Sequence, residues 1–297
     1  AMVLAFAFAG CSDGSSSGGS DSSEITGGGT SGGETSGGSG EIPKDFVKIP
    51  AISITGSESW TPESEVFVSE RRLEIKSFWM SDHEVTQAEW KDVMGSTPSY
   101  MANVDGNPDN NPVNEVSWYD ALVYCNKRSI KEGLTPCYKI KDSTDPDKWG
   151  KVPTKSDDTW DAIICSFTVN GYRLPTAAEW EFAARGGDMS AEDWNYRFSG
   201  SNKADDVAWY SGTSNYNLHE VGLLNPNRLG IYDMTGNSTE YVWSDSDYSN
   251  GDRRLYYVFS LISQTSQSML QNEYGYTYRD PSNLAYQRGF RIARTIK

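Results

Sequence analysis

One segment of the chain has the apolar periodicity of a helix. The spacing i, i+3, i+4, i+7 of a single helix face is met by Trp118, Ala121, Leu122 and Cys125. Ser117 stands before this segment as an N-cap and Gly133 follows it, which predicts a helix between them. Because Cys125 lies on the apolar face, we interpret it as a core residue rather than a reactive thiol.

Two further helices are predicted by capping boxes, in which an N-cap threonine precedes a glutamate by three residues. The box at 86–89 opens a helix that ends near Gly95, and the box at 176–179 opens one that stops at 186–187. These three helices are the strongest local predictions of the sequence.

Strands are predicted to be short. Four apolar or alternating pieces are typical of strands: residues 46–50, 72–80, 171–174 and 289–293. Long intervening stretches, such as 140–165 and 200–230, read as irregular chain. Few helices, short strands and much loop predict an α+β domain over residues 42–297.

A short apolar run near the start of the chain ends at Cys11. Residues 2–10 read MVLAFAFAG, which is too short to span a bilayer. The tetrapeptide at 8–11, FAGC, has the form of a bacterial lipobox, so we interpret residues 1–11 as a truncated lipoprotein signal with Cys11 as the lipidated residue. The alternative is a cloning remnant with an accidental cysteine.

Residues 12–41 are rich in Gly and Ser and predict a flexible tether, because they offer too little apolar surface to fold. A lipid anchor and a tether would display the domain at the bacterial outer membrane or cell surface, with membrane contact through the lipid alone. Export also permits disulfides. Cys137 and Cys165 could form one, but the pairing among Cys125, Cys137 and Cys165 stays open.

Charge and metal-ligand residues exclude some classes of function. The formal net charge is -15, which argues against nucleic acid and against docking on anionic lipid. The four cysteines form no C-x-x-C pair, so a zinc site is not expected. The two histidines, His83 and His219, lie far apart in sequence.

The C-terminal segment, from about 252 to 297, is rich in tyrosine, with Ser, Gln and Asn between, and it holds no Cys or His. Tyrosine gives rigid contact area at low entropy cost, and the polar residues give adaptable hydrogen bonds. This composition favours a surface that binds a partner over a catalytic site.

Six segments together resemble formylglycine-generating-enzyme domains (the sulfatase-modifying factor family). They occur in that family's order: FVKIP (46–50), FWMSDHEVTQAEWKDVMGSTPS (78–99), NPVNEVSWYDALVYCNKRSIKEGLTPCY (111–138), GYRLPTAAEWEFAARGG (171–187), NRLGIYDMTGNSTEYVW (227–243) and GFRIAR (289–294). The resemblance implies a C-type-lectin-like fold, in which a small mixed or antiparallel sheet carries few helices and large irregular insertions.

The resemblance also implies where a catalyst would hold copper. The family oxidises a substrate cysteine with two cysteines of its own, and alignment from Gly289 puts those positions at Ser263 and Ser268. A serine hydroxyl is a poor ligand for a soft metal and stays protonated at neutral pH. We therefore predict a protein that is not an enzyme and that requires no cofactor. The related iron-dependent sulfoxide synthases need three histidines, and this chain has two.

A calcium loop of the form D-x-x-G-x-x-x-E is a further feature implied by the resemblance. Its positions are filled by Asp233, Gly236, Ser238 (through a backbone oxygen) and Glu240. Calcium takes carboxylate and carbonyl oxygens of this kind. A structural calcium ion and a plain turn both remain possible readings of the loop.

A second branch of the family fits the chain better. Variable proteins of diversity-generating retroelements, such as treponeme variable lipoproteins, use the same fold and rewrite their C-terminal segment. This chain keeps the family pattern to Trp243, departs from it, and recovers it at Gly289. The candidate ligand-binding residues are Tyr256, Tyr257, Ser263, Gln264, Gln267, Asn272, Tyr274, Tyr276, Tyr278, Leu284 and Tyr286.

The sequence thus favours a surface-displayed, non-catalytic and monomeric binding protein with a diversified face. Its ligand would be a protein, a peptide or a glycan, which the composition of the face does not distinguish. The alternatives are a formylglycine-generating oxidase that uses other residues, and an envelope-associated binding protein of fixed specificity.

Overall fold

The described part of the chain is built from short strands and few helices, as the sequence predicts. The computed structural model describes residues 42–60, 64, 66–98, 105–243 and 288–297, and the backbone of 255–257 and 276–278. The strands are β1 (Phe46–Ile49), β2 (Ile52–Ile54), β3 (Leu73–Ile75), β4 (Phe78–Ser81), β5 (Tyr138–Lys139), β6 (Ile164–Cys165), β7 (Tyr172–Arg173), β8 (Thr239–Glu240), β9 (Leu255–Tyr257), β10 (Tyr276–Tyr278), β11 (Arg288–Gly289) and β12 (Ala293–Thr295). The helices are α1 (Gln87–Met94), α2 (Trp118–Lys131), α3 (Asp158–Asp161), α4 (Ala177–Ala184) and α5 (Ala204–Val207).

The central sheet joins strands from both ends of the domain. Its order is β1-β4-β12-β7, and every pair in it is antiparallel. Met80 defines the register of three strands, since it lies opposite Val47 of β1 on one side and Ala293 of β12 on the other. The last strand therefore closes the fold between the first and the middle segments of the domain.

The described ranges also contain four two-stranded ladders. Three are antiparallel, β2–β3, β5–β6 and β9–β10, and the fourth, β8–β11, is parallel. The prediction of an α+β fold with small, mostly antiparallel sheets is confirmed.

All three helices predicted from their caps are present. The side chains of Thr86, Ser117 and Thr176 each accept a hydrogen bond from the backbone N–H of the third helical residue, and the carboxylate of that residue accepts one from the backbone N–H of the cap. The helix α1 ends at Gly95, whose φ of 78° is the left-handed conformation that glycine adopts at low cost.

Two apolar clusters form the interior. One packs β4 and α4 with Trp60, Phe67 and Trp194, and the other packs α2 with Phe290 and Trp243. Cys125 lies in the second cluster and is fully buried, which confirms its assignment to the core. Among the described helices, none is both long and apolar enough to cross a membrane.

Two strand predictions are corrected, and one question that the sequence left open is answered. The piece 72–80 is two strands in different sheets rather than one, with Lys76 and Ser77 between them. The piece 289–293 is not one strand, because 290–292 leave the ladder between β11 and β12. Cys125, Cys137 and Cys165 are all free thiols, so the structure contains no Cys137–Cys165 disulfide.

Candidate functional site

Two strands within the predicted binding segment pair with each other. In the antiparallel ladder β9–β10, Tyr257 lies opposite Tyr276 and Tyr256 lies opposite Thr277, while Tyr278 lies opposite Leu255. Four of the candidate ligand-binding tyrosines are thus brought together by the backbone, although they are about twenty positions apart in sequence.

The other candidate ligand-binding residues lie outside the described residues. They are Ser263, Gln264, Gln267, Asn272, Tyr274, Leu284 and Tyr286. The same holds for Ser268 and for the predicted lipidation site Cys11. The assignment of these positions to a ligand-binding face or an anchor stays a prediction.

The segment leaves and rejoins the scaffold at one place. Parallel pairing sets Thr239 opposite Arg288 and Glu240 opposite Gly289, and Tyr241 donates its backbone N–H to Gly289 O at 3.0 Å. The backbone of β9 lies beside β8. The two ends of the candidate face are therefore held by one small, buried ladder.

A buried ion pair reinforces that ladder. Arg291 Nε and Nη2 donate to both carboxylate oxygens of Glu240, at 2.6 to 2.9 Å. Trp180 Nε1 donates to Glu240 Oε2 at 2.7 Å, and Arg291 also donates to Tyr232 O. The side chains of Arg291 and Glu240 are 0% and 2% exposed. We call this group, Glu240, Arg291 and Trp180, the anchor cluster.

Two more carboxylates lie close to the anchor cluster. Glu84 accepts from the backbone N–H of Ser238 at 2.8 Å and from Asn237 Nδ2 at 2.9 Å. Burial and the nearby charges of Asp233 and Glu240 raise the pKa of Glu84 well above its ordinary value. Burial raises the pKa of Asp233 to about 6. The buried carboxylates of Glu84, Asp233 and Glu240 thus all lie near the positive charge of Arg291.

The predicted calcium loop forms a tight turn whose residues already have protein partners. Its left-handed positions are Asp233, Gly236 and Asn237, with φ of 55°, 87° and 57°. Both carboxylate oxygens of Glu240 accept hydrogen bonds from Arg291. Asp233 Oδ2 accepts a hydrogen bond from the backbone N–H of Gly222 at 2.7 Å. Asp233 Oδ1 is buried without a partner.

A full calcium ligand set is not formed by these side chains. Across the residues that the structure describes, no group of three or more His, Cys, Asp or Glu side chains could hold a metal ion. The excess of buried negative charge and the unpaired Asp233 Oδ1 are the features that a cation would complement. Calcium binding stays a prediction.

The thiols in the described residues are unsuited to nucleophilic or redox chemistry. Burial raises the pKa of Cys137 to about 11 and raises the pKa of Cys125 and Cys165 as well. Because the thiolate is the reactive form, these cysteines are inert at neutral pH.

A charged network at the start of α1 was not found from the sequence. His83 Nδ1 lies 2.5 Å from Asp82 Oδ1 and its Nε2 lies 3.5 Å from Glu89 Oε2, while Arg128 Nη1 donates to Glu89 Oε1 at 3.2 Å. Burial opposes the charged ring, but hydrogen bonds to both carboxylates outweigh it and raise the pKa of His83 to about 9. The signal was available: a histidine in the sequence DHEVTQAE with acids on both sides.

The fold and the order of its helices and strands along the chain define a C-type-lectin-like domain of the formylglycine-generating-enzyme type. The family described as "Sulfatase-modifying factor enzyme 1-like domain" matches residues 35–296. The chain belongs to this family.

Two curated proteins are similar to parts of this chain. "Chaperone protein LppX" of Paenibacillus barcinonensis is 42% identical over 193 residues, which is 59% of this chain and 65% of the relative. "Inactive C-alpha-formylglycine-generating enzyme 2" of Bos taurus is 34% identical over 114 residues, 33% of this chain and 34% of the relative. The chain thus spans less than two thirds of each, and membership of a family with an inactive member is compatible with a protein that is not an enzyme.

A solved structure extends the likeness over most of the chain. "Treponema denticola variable protein 1" superposes with a TM-score of 0.69 at 25% sequence identity, and the match covers 84% of this chain and 94% of that one. The predicted resemblance to variable proteins of this fold is confirmed.

Proposed function

We propose that this protein is a non-catalytic binding protein whose C-terminal segment, about 252–297, forms a diversified ligand-binding face. The protein would be displayed at a bacterial cell surface, anchored by lipid on Cys11 through the tether 12–41. Its ligand would be a protein, a peptide or a glycan, recognised by aromatic anchors and adaptable polar side chains.

The observation that carries the proposal is the residue type at the two copper positions of the family. Counting back from Gly289, the resemblance to the family puts its two cysteine positions at Ser263 and Ser268. Burial raises the pKa of the three described cysteines, which disfavours the thiolate form that would bind copper in their place. A scaffold of this family without its thiols still offers a surface, which favours binding over oxidation.

The likeness to a variable protein supports the diversified face. The family pattern is kept to Trp243 and resumes at Gly289. Glu240 and Tyr241, just before Trp243, are joined to Gly289 by backbone pairing, and Glu240 is joined to Arg291 by the buried ion pair. A segment held at its ends by buried contacts can change its own sequence with little effect on the core.

Two variants test the proposal directly. Tyr257→Ser and Tyr276→Ser, combined, are expected to abolish or change the set of proteins and glycans that the purified chain retains, with little change in Tm. Tyr216→Ser is the matched control, because Tyr216 is an exposed tyrosine (54%) outside the C-terminal segment. Equal retention by both variants would contradict a C-terminal binding face.

A second candidate is a binding protein of fixed specificity that assists another exported protein. It is favoured by the 42% identity to a relative named as a chaperone. In that case one partner would be retained by the protein from every isolate, and the C-terminal segment would not vary.

A further inference from the structure

A histidine and an aspartate from two different loops face each other across a short gap. His219 Nδ1 lies 3.8 Å from Asp105 Oδ2, which is too far for a direct hydrogen bond. The side chain of His219 is 9% exposed and that of Asp105 is 59% exposed, so solvent reaches the pair from the aspartate side. Neither residue belongs to the predicted calcium loop or to the C-terminal segment.

Hydrogen bonding fixes which ring nitrogen of His219 carries the proton. Nε2 lies 3.0 Å from the backbone carbonyl oxygen of Ser214. A carbonyl oxygen can only accept a hydrogen bond, so Nε2 is the donor, and Nδ1 of the neutral ring holds the free lone pair. Histidines that bind metal ions have this arrangement, in which one ring nitrogen donates to a carbonyl or carboxylate and the other is the ligand.

Both side chains are held in place by the protein around them. The ring of His219 stacks on Trp209, with ring centroids 3.8 Å apart and planes 13° apart. Asp105 donates its backbone N–H to Leu218 O at 2.8 Å, and its Oδ1 accepts from the backbone N–H of Gly106 at 2.9 Å. The separation of the two facing atoms is thus set by their surroundings, which lowers the ordering cost of binding a ligand between them.

We propose that His219 Nδ1 and Asp105 Oδ2 are two ligands of a divalent transition-metal ion such as zinc. Zinc bonds of about 2.0–2.1 Å to a histidine nitrogen and about 2.0–2.2 Å to a carboxylate oxygen reach across the 3.8 Å gap with a bent angle at the ion. Imidazole nitrogen suits zinc, copper and nickel, whereas calcium takes oxygen ligands. The described residues offer no third His, Cys, Asp or Glu ligand here, so water completes the site.

The bound ion would link the chain before α2 to the chain after α5. His219 is also joined to the turn that leads into β8, because its backbone N–H donates to Asn237 Oδ1 at 3.0 Å and Asn237 Nδ2 donates to His219 O at 3.2 Å. An ion on His219 and Asp105 would therefore hold three loops of the scaffold together, away from the C-terminal segment.

Calorimetric titration of the purified full chain with zinc chloride tests the proposal, with calcium in excess to occupy any oxygen-only site. We expect the wild type to bind zinc, and we expect Asp105→Asn to weaken this binding at least about tenfold. Asp109→Asn is the matched control, because Asp109 is an exposed acid a few positions further along the chain and should leave the affinity unchanged. Equal zinc affinity in the wild type and in Asp105→Asn, or no zinc binding by the wild type, overturns the proposal.

A zinc-soaked crystal of the full chain locates the ion directly by its anomalous scattering. We expect a peak about 2.0–2.2 Å from both His219 Nδ1 and Asp105 Oδ2. Zinc only at other places, or no zinc, contradicts the assignment. His219→Gln is expected to lose the same zinc ion as Asp105→Asn, and if His219→Gln fails to fold, Asp105→Asn and the crystal decide.

Discussion

Glu240 and Arg291 form a bidentate ion pair that is almost wholly withdrawn from solvent, 51 positions apart in sequence. Glu240 lies just before Trp243, where the family pattern stops, and Arg291 lies just after Gly289, where it resumes. The pair thus joins the two sides of the candidate binding face through the core. Such a pair is costly to break, since the remaining charge would be buried alone.

Arg291→Met is expected to destabilise the protein by about 3–5 kcal/mol, because it leaves Glu240 uncompensated. Urea denaturation measures this. The double variant Glu240→Gln/Arg291→Met keeps an acceptor for Trp180 without the lone charge and is expected to recover part of the loss. Lys127→Met breaks an exposed pair and is expected to cost less than about 1 kcal/mol. An equal, small cost for Arg291→Met would contradict the role of the anchor cluster.

The His83 network predicts a loss of stability at alkaline pH. The pKa of His83 is raised from 6.5 to about 9, so its contribution is full below pH 6.5 and is lost as the pH rises through 9. His83→Gln is expected to lower the free energy of unfolding by about 3 kcal/mol at pH 6. The gap to wild type should shrink toward pH 10. A gap that stays constant or widens over this range would show that the ring is not held charged.

Calcium binding at the loop around Asp233 predicts a dependence of stability on the ion. At a calcium concentration a hundredfold above Kd, the free energy of unfolding should rise by about 2.7 kcal/mol relative to the chelator EDTA. Asp233→Asn should reduce this rise, because it weakens a carboxylate ligand. The same Tm in calcium and in EDTA would show that the loop does not bind calcium and is a plain turn.

The absence of activity predicted from Ser263 and Ser268 is testable by restoring the thiols. The wild type is expected to oxidise a cysteine peptide no faster than copper in buffer. Ser263→Cys/Ser268→Cys is expected to bind Cu(I), because paired thiolates are soft-metal ligands. Copper-dependent oxidation by the wild type would contradict the non-catalytic account.

Local signals in the sequence were enough for α1, α2 and α4, whereas the four-residue helices α3 and α5 lie in stretches that the sequence predicted to be irregular. The N-cap threonines and serine act within four residues, so Thr86, Ser117 and Thr176 identify α1, α2 and α4 without knowledge of the rest of the fold. Strands depend on distant partners, and the two errors arose there. The piece 72–80 carries one apolar pattern, but its halves pair with β2 and with β1.

The buried carboxylates of the site were only partly predictable, because some of their partners are also distant in sequence. Glu240 and Asp233 were found because the family loop contains them. Glu84 has no local signal, since its partners Asn237 and Ser238 lie more than 150 positions away. The tyrosines of β9 and β10 were found from composition, whereas their register could come only from the structure.

The measurement that tests the central claim most directly is the sequence of the 3′ end of this gene across isolates. The account predicts substitutions concentrated between about 252 and 287, at Tyr256, Tyr276 and their candidate neighbours, with Glu240, Gly289 and Arg291 unchanged. A C-terminal segment that is identical in every isolate, or that varies no more than the scaffold, would contradict a diversified binding face.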